Sequence, residues 1–204
     1  MPKRGMRPVR RGQLIGATIA TIGERGFADA SVVRIARRAG LSPGVVHHYF
    51  ADKNALLEAA MRDLLRRLNR SVITRLALAR HPVDRIKAVI DGNFGADQFH
   101  PTTVAAWLAL WAQARHAPEL ARLREINAAR LRSNLRHDLR RLMHPAAVED
   151  ATFSLAALID GMWLHAALSR QPVDSAHLSK IAKCHLDGLI GCNPLSPTPE
   201  SIRA

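Results

Sequence analysis

Aromatic residues and strand-forming runs are both scarce in this chain of 204 residues. Phe, Trp and Tyr together make up 4% of the sequence, with one tyrosine, three tryptophans and five phenylalanines. Runs of Val, Ile, Thr and Tyr, which favour strands, are missing, and long stretches of Ala, Leu and Arg take their place. The composition therefore predicts an all-α protein and argues against a sheet-based fold.

Cysteine is almost absent, and long apolar runs are absent too. Cys184 and Cys192 are the two cysteines, without CxxC spacing, which argues against a disulfide framework. The basic start, MPKRGMRPVRR, has no apolar stretch after it, and so does not resemble a signal peptide. No uninterrupted apolar run reaches the roughly 18 residues of a membrane span. We therefore expect a cytoplasmic protein.

Acidic residues are outnumbered, with 17 Asp and Glu against 30 Lys and Arg and a formal net charge of +13. Such an excess attracts polyanions, either nucleic acid or an anionic membrane, although arginine on solvated helix faces could also produce it. The distribution favours nucleic acid, because five cations precede the first acid, Glu24, and three more lie in the next helix. These cations are Lys3, Arg4, Arg7, Arg10, Arg11, Arg34, Arg37 and Arg38.

Catalytic motifs are also missing. The chain contains no HExxH, no GxSxG and no phosphate-binding loop, and its ten histidines are scattered. Cys184 and His185 form an isolated pair that fits a structural role better than catalysis or metal binding. The sequence therefore indicates a protein that is not an enzyme and that needs no cofactor or metal.

Helical periodicity and helix-stop residues divide the chain into successive helices. The predicted helices cover 8–25, 32–39, 43–50, 52–80, 83–94, 102–114, 118–143, 155–166 and 174–190. We expect a helix-turn-helix domain over 1–55, with its motif at 31–50, followed by a helical bundle over 56–190 that binds ligand and dimerises. Residues 191–204, rich in proline, are predicted to be a disordered tail.

The segment from Ser31 to Lys53 carries the clearest functional pattern. Ser31 caps one short helix, Gly40 ends it, and Ser42 with a proline at the first helical position begins another. Two short helices joined by a turn that contains glycine place the second helix in a DNA major groove. Small side chains near its start allow a close approach to base edges, and Tyr49 and Lys53 suit phosphate oxygens.

The same segment resembles the helix-turn-helix of the TetR family of bacterial repressors, whose pattern is S/T-x-x-x-I-A-x-x-A-G-x-S-x-G-x-x-Y-x-Y-F-x-x-K. His47 departs from it, because the family most often has Tyr there. The resemblance implies a homodimer that reads a palindromic operator, with recognition helices about 34 Å apart. The residues predicted to contact DNA are Ser31, Arg34, Ser42, Pro43, Gly44, Val45, His47, Tyr49 and Lys53.

Aromatic residues and one carboxylate suggest an effector site in the second half of the chain. Indole faces together with a carboxylate suit a quaternary ammonium ion, which cannot donate strong hydrogen bonds. The alternative is that the tryptophans are ordinary core and that Asp160 pairs with an arginine. The residues predicted to bind the effector are Phe94, Trp107, Trp111, Asp160 and Trp163.

Further stretches resemble the BetI branch of the TetR family, which regulates the conversion of choline to glycine betaine. They are A-W-L-A-x-W at 106–111, R-L-x-S-N-L at 130–135 and L-A-A-L-I-D-G-x-W-L at 155–164, among others. The resemblance implies repression of those genes and release by choline or betaine aldehyde. The alternatives are a TetR-type repressor for another lipophilic cation, and a nonspecific basic binder of DNA or membrane.

Overall fold

The computed structural model describes residues 6–96 and 98–195, and in this part of the chain it is built from nine α-helices and one 3-10 turn, with no strand. The helices are α1 (Met6–Asp29), α2 (Val32–Arg38), α3 (Pro43–Tyr49), α4 (Lys53–Leu76), α5 (Pro82–Asn93), α6 (Pro101–Gln113), α7 (Pro118–Leu139), α8 (Val148–Leu168) and α9 (Ser175–Cys192). The all-α prediction is confirmed.

Most helix boundaries fall within a few residues of their predicted positions. The larger differences are that α4 and α7 each end four residues early, at Leu76 and Leu139, and that α8 begins at Val148. The tail begins later than predicted, because α9 continues to Cys192 and Pro194 forms an isolated bridge with Met143. Residues 196–204, on which the rest of the tail prediction falls, lie outside the described residues.

The chain forms two compact units, and the first combines the described residues up to Arg66 with His100–Glu125. Within this unit α1 packs along α6, and α2 packs on α1 and α3. Gly23 permits the α1–α6 approach, because a Cβ built there would lie 2.0 Å from the carbonyl oxygen of Thr102. The helix-turn-helix is thus packed together with a helix that comes some fifty residues later in the chain.

The second unit combines Arg67–Phe99 with the described residues from Ile126 onward. In it α9 packs on both α5 and α8. The guanidinium of Arg85 on α5 bonds the buried carboxylate of Asp138 on α7, with Nε 3.0 Å from both oxygens. Asp91 accepts a hydrogen bond from Ser179 at 2.6 Å and pairs with Lys183, and this ties α5 to α9. The boundaries of these units differ from those of the predicted domains, 1–55 and 56–190. The domains remain a prediction about which part of the chain binds DNA and which part binds ligand and dimerises.

One helical segment is unusually long and apolar, although charged residues interrupt it. Among the described residues, Pro145–Leu168 is long and apolar enough, by length and composition alone, to cross a membrane. A single such helix is weak evidence, because core helices have the same properties. This one carries Glu149 and Asp150 in its first turn and Asp160 further along, and its residues Leu155 and Ile159 are completely buried.

Candidate nucleic-acid interface and effector region

Local chemistry determines the shape of the α2–α3 motif. The Ser31 hydroxyl accepts a hydrogen bond from the backbone N–H of Arg34 at 3.3 Å and so caps α2. At the other end Gly40 adopts a φ of +67°, and Leu41 N–H donates to the Ala36 carbonyl at 2.9 Å. This is a Schellman ending, which needs a left-handed residue. Gly40 is therefore required for the turn and not for close packing, since a Cβ there would meet no atom within 4 Å.

The recognition helix α3 begins as predicted, with one difference. Ser42 occupies the N-cap position in an extended conformation and Pro43 the first turn, but the Ser42 hydroxyl makes no capping hydrogen bond. Val46 and Phe50 are buried, as is Ile35 of α2. The inner face of α3 thus holds the motif together. The Ser42 hydroxyl is available to other partners because it makes no capping hydrogen bond.

The residues predicted to contact DNA lie on and around α3, with two on the α2 side and one at the start of α4. Of the predicted set, Val45, Tyr49 and Lys53 are half-buried and the others are exposed, namely Ser31, Arg34, Ser42, Pro43, Gly44 and His47. A Cβ on Gly44 would meet no atom within 4 Å. The start of α3 is therefore an unobstructed surface, with nothing bulkier than a valine or a proline before His47.

Two arginines of α2 make ion pairs on the protein surface. Arg38 donates two hydrogen bonds to Glu24 of α1, at 2.5 and 2.6 Å. These bonds hold the pKa of the Glu24 carboxyl below its ordinary value of 4.5 and raise that of Arg38. Arg34 lies 3.5 Å from Asp29, with both side chains about half exposed. Arg38 thus fixes α2 against α1, whereas the loose pairing of Arg34 leaves it able to reach phosphate.

Two aromatic rings near the motif make cation contacts that sequence reasoning did not predict. The Lys53 ammonium lies 4.7 Å from the centre of the Phe27 ring, and the Arg11 guanidinium lies 5.1 Å from that of Phe50. In contacts of this kind the ring face attracts the cation. Phe27 directly follows Gly26, which has a φ of 78° at the kink in α1. This glycine is the sequence feature that could have drawn attention to Phe27.

Three of the aromatic residues of the effector region form one cluster in the second unit. Phe99 lies with its ring centre 5.8 Å from that of Phe94 and 4.9 Å from that of Trp163, edge-on to both. Phe94 and Trp163 are buried and Phe99 is half-buried. The sequence singled out Phe94 and Trp163 but not Phe99, the ring that joins them, because it lies in the irregular segment between α5 and α6.

Trp107 and Trp111 form a separate pair in the first unit. They occupy successive turns of α6, as their spacing predicted, with ring centres 5.6 Å apart. Trp107 is buried and Trp111 is half-buried, and the indole nitrogen of Trp111 is a buried atom with no hydrogen-bond partner among the described residues. The predicted effector residues therefore fall into two groups, one in each unit.

Asp160 lies on the exposed face of α8, unlike the cluster residues. Its neighbours on that face are Phe153, 71% exposed, and Leu164, 44% exposed. Further exposed apolar residues are Leu168 at the end of α8 and Ile181 on α9. The second unit thus presents an apolar strip along its last two helices, with one carboxylate in it.

No group of three or more His, Cys, Asp or Glu side chains within the described residues is arranged to hold a metal ion. Cys184 and Cys192 are both exposed and free.

Known proteins resemble the chain along most of its length. A family model for the N-terminal region of bacterial regulatory proteins of the tetR family matches residues 14–60, and one described as the C-terminal region of BetI-type transcriptional repressors matches residues 82–191. The HTH-type transcriptional regulator BetI of Klebsiella pneumoniae is 48% identical over 176 residues, which cover 85% of this chain and 90% of the relative. BetI of Escherichia coli K12 is 45% identical, over 90% and 95% of the two chains.

Solved structures share the fold. A transcriptional regulator from Rhodococcus sp. Rha1 superposes with a TM-score of 0.79 at 24% identity, over 92% of this chain and 99% of the other. A regulator from Saccharomonospora viridis, crystallised in complex with choline, superposes with a TM-score of 0.76 at 16% identity, over 88% and 96%. These relatives are transcriptional regulators and not enzymes. The helix-turn-helix geometry and the two family matches together establish that the chain is a DNA-binding repressor of the TetR family, of the BetI type.

Proposed function

We propose that this repressor controls genes for the conversion of choline to glycine betaine, and that choline or betaine aldehyde releases it from its operator. The observation that carries the proposal is the match of residues 82–191 to the C-terminal region of BetI-type repressors, together with 45–48% identity to BetI proteins.

On the DNA side, the exposed start of α3 supplies base contacts and its surroundings supply phosphate contacts. Gly44 leaves room for a base edge, Val45 offers a methyl surface to thymine, and His47 extends from the same exposed face. Tyr49 and Lys53 donate to phosphates at the end of the helix. Arg34, Pro43 and the serines at the two N-cap positions, Ser31 and Ser42, complete the predicted set.

On the effector side, the rings of Phe94 and Trp163, with Phe99 between them, offer the π-faces that attract a quaternary ammonium ion. Asp160, one turn before Trp163 but on the exposed face of α8, is proposed to supply negative charge near the rings. Trp107 and Trp111 are proposed as a second ring pair whose contribution is to be measured separately. The Saccharomonospora viridis regulator, which shares the fold, was crystallised in complex with choline, and this supports the choice of choline as the candidate effector.

TetR regulators act as dimers, and the apolar strip on α8 and α9 is the proposed dimer interface. Phe153, Leu164 and Leu168 are large and exposed in the single chain, and exposed apolar strips of this kind are typical of protein interfaces. Two copies related by a two-fold axis would bury the strip in a four-helix arrangement. The effector then acts by favouring a dimer whose recognition helices no longer match the two half-sites.

Footprinting upstream of the repressor's own gene tests the proposal directly. We expect protection of a palindromic site that is lost on addition of choline or betaine aldehyde, and not on addition of glycine. Affinity for that site should exceed affinity for unrelated duplex by about 10³-fold or more. Protection that persists at saturating choline and betaine aldehyde would refute the proposed effectors.

The alternative, a TetR-type repressor that responds to another lipophilic cation, rests on the same aromatic cluster. Calorimetry with choline, set against a bulky cationic dye, separates the two. Tight binding of the dye with no heat from choline would favour the alternative. Trp111→Ala and Asp160→Ala should leave operator affinity unchanged while raising the choline concentration needed for release.

A further inference from the structure

A cavity in the first compact unit is lined only by residues of that unit. It has a volume of about 470 Å³, within the usual range for small-molecule sites. Its walls come from the end of α1, from the first turns of α4, and from the corner between α6 and α7. The cavity therefore adjoins the residues that directly follow the recognition helix.

The lining combines carboxylates with apolar surface. Asp52 and Glu58 contribute from the α4 side and Glu119 from the first turn of α7, while Leu57 and Leu120 supply apolar surface. No Lys or Arg is among the described lining residues, although the chain as a whole carries a charge of +13. A cation in this cavity would meet three carboxylates, and an aliphatic body would meet the leucines.

Two of these carboxylates already have partners within the protein. Asp52 accepts a hydrogen bond from the backbone N–H of Ala55 at 2.7 Å, and Glu58 accepts from Arg62 at 2.8 Å. The carboxylates retain lone pairs that a further donor can use, since each can accept about four hydrogen bonds. Glu119 faces the cavity from a different helix, so negative charge is present on two of its walls.

An ammonium group of the protein itself shows that the aromatic part of this wall attracts cations. Phe27 lines the cavity, and the Lys53 ammonium lies 4.7 Å from the centre of its ring. A ligand ammonium at this ring would compete with Lys53, a residue that we assign to DNA. Occupancy of the cavity is thereby linked to the orientation of a phosphate-contacting side chain.

From these observations we propose that the cavity is a second ligand site, selective for aliphatic diamines, with one ammonium held by the α4 carboxylates and the Phe27 ring and the other by Glu119. The site is separate from the proposed choline site and does not depend on it. A dication is proposed because acidic residues from the α4 side and from α7 line the cavity together with Leu57 and Leu120.

Isothermal calorimetry of the full chain without DNA, with hexane-1,6-diamine as the probe, tests this site. We expect one diamine per chain, and an affinity about tenfold lower in Glu119→Gln because one charge-assisted contact is lost. Ala55→Leu, which fills the cavity without changing its charge, should abolish the heat. Lys53→Met should bind several-fold more tightly, since the competing ammonium is gone.

Matched controls separate a built site from general attraction of a dication to carboxylates. Asp84→Asn removes an exposed carboxylate from the first turn of α5, outside the cavity, and should leave diamine affinity unchanged. Hexane-1,6-diol, neutral and of the same length, should give no heat. Thermal unfolding confirms that each variant is folded. Equal affinity in the wild type, Glu119→Gln and Ala55→Leu, or no binding of the diamine to the wild type, would overturn the proposal while leaving the choline response untouched.

Discussion

The DNA-reading surface and the aromatic cluster place their functional side chains in opposite environments. In the α2–α3 motif the residues assigned to DNA face solvent, and buried neighbours such as Val46 and Phe50 hold the helices in place. In the cluster, the rings of Phe94 and Trp163 are themselves buried and pack against Phe99. If the proposed sites are correct, function and stability depend on different residues in the motif and on the same residues in the cluster. The two regions should then respond differently to substitution.

The largest effect should come from Gly44→Glu. A Cβ at this position meets no atom within 4 Å, so the fold should tolerate the new side chain. A carboxylate at the start of α3 would be repelled by the phosphates and would block the approach to base edges. We expect specific operator affinity to fall by about 10³-fold, to the level of nonspecific binding, with little change in thermal stability.

Ala129→Glu, which places the same charge on an exposed position of α7, is the matched control and should keep operator affinity. Fluorescence anisotropy with a labelled operator measures both. Retention of specific binding by Gly44→Glu would contradict the placement of α3 in the groove.

The next effect concerns stability and compares two glycines of α1. In Gly23→Ala the new methyl would overlap the backbone of Thr102, so α1 and α6 must separate, at a cost of about 1–3 kcal/mol. Gly16→Ala meets no atom within 4 Å and should stabilise the helix by about 0.5–1 kcal/mol. Chemical denaturation of the two variants should therefore give changes of opposite sign. Equal changes would show that α1 and α6 are not in close contact at Gly23.

Sequence reasoning was most successful where a structure depends on neighbouring residues. The Ser31 cap, the ending at Gly40 and the start of α3 at Pro43 each depend on residues within one turn, and all three were predicted. Gly40 was predicted to end α2, and its positive φ is the reason that it does so.

Contacts between distant segments were not predicted. The pairing of α1 with α6, through Gly23 and Thr102, joins segments about eighty residues apart. Phe99 was overlooked as the link in the aromatic cluster for the same reason, and the exposure of Asp160 could not be inferred from its position in an apolar run. Hydrophobic periodicity indicates which face of a helix is buried. It does not indicate which distant helix packs against that face, so these pairings could not be predicted.

A smaller effect is expected from conservative changes to the aromatic cluster. Trp163→Phe keeps a buried ring but weakens its attraction for a cation, so choline affinity should fall several-fold with operator affinity unchanged. Asp160→Asn removes the charge of an exposed side chain and should weaken choline binding to a similar degree without lowering stability. Calorimetry with choline measures both. If only Trp163→Phe affects choline, Asp160 belongs to the proposed dimer interface and not to the effector site.

The smallest effect should be found at the ion pair between Glu24 and Arg38, which is exposed and yet fixes α2 to α1. Because the hydrogen bonds from Arg38 lower the pKa of Glu24, ionised Glu24 stabilises the folded protein above its ordinary pKa of 4.5. This stabilisation is lost as the pH falls through the lowered pKa of the folded state. Wild type should therefore be slightly more stable than Glu24→Gln at pH 7, and the difference should disappear in acid. Urea denaturation across this pH range measures it, with Gly16→Ala as a variant whose effect is independent of pH. If the stability difference between wild type and Glu24→Gln persisted unchanged in acid, side-chain packing and not the ion pair would be what joins α1 to α2 at Glu24.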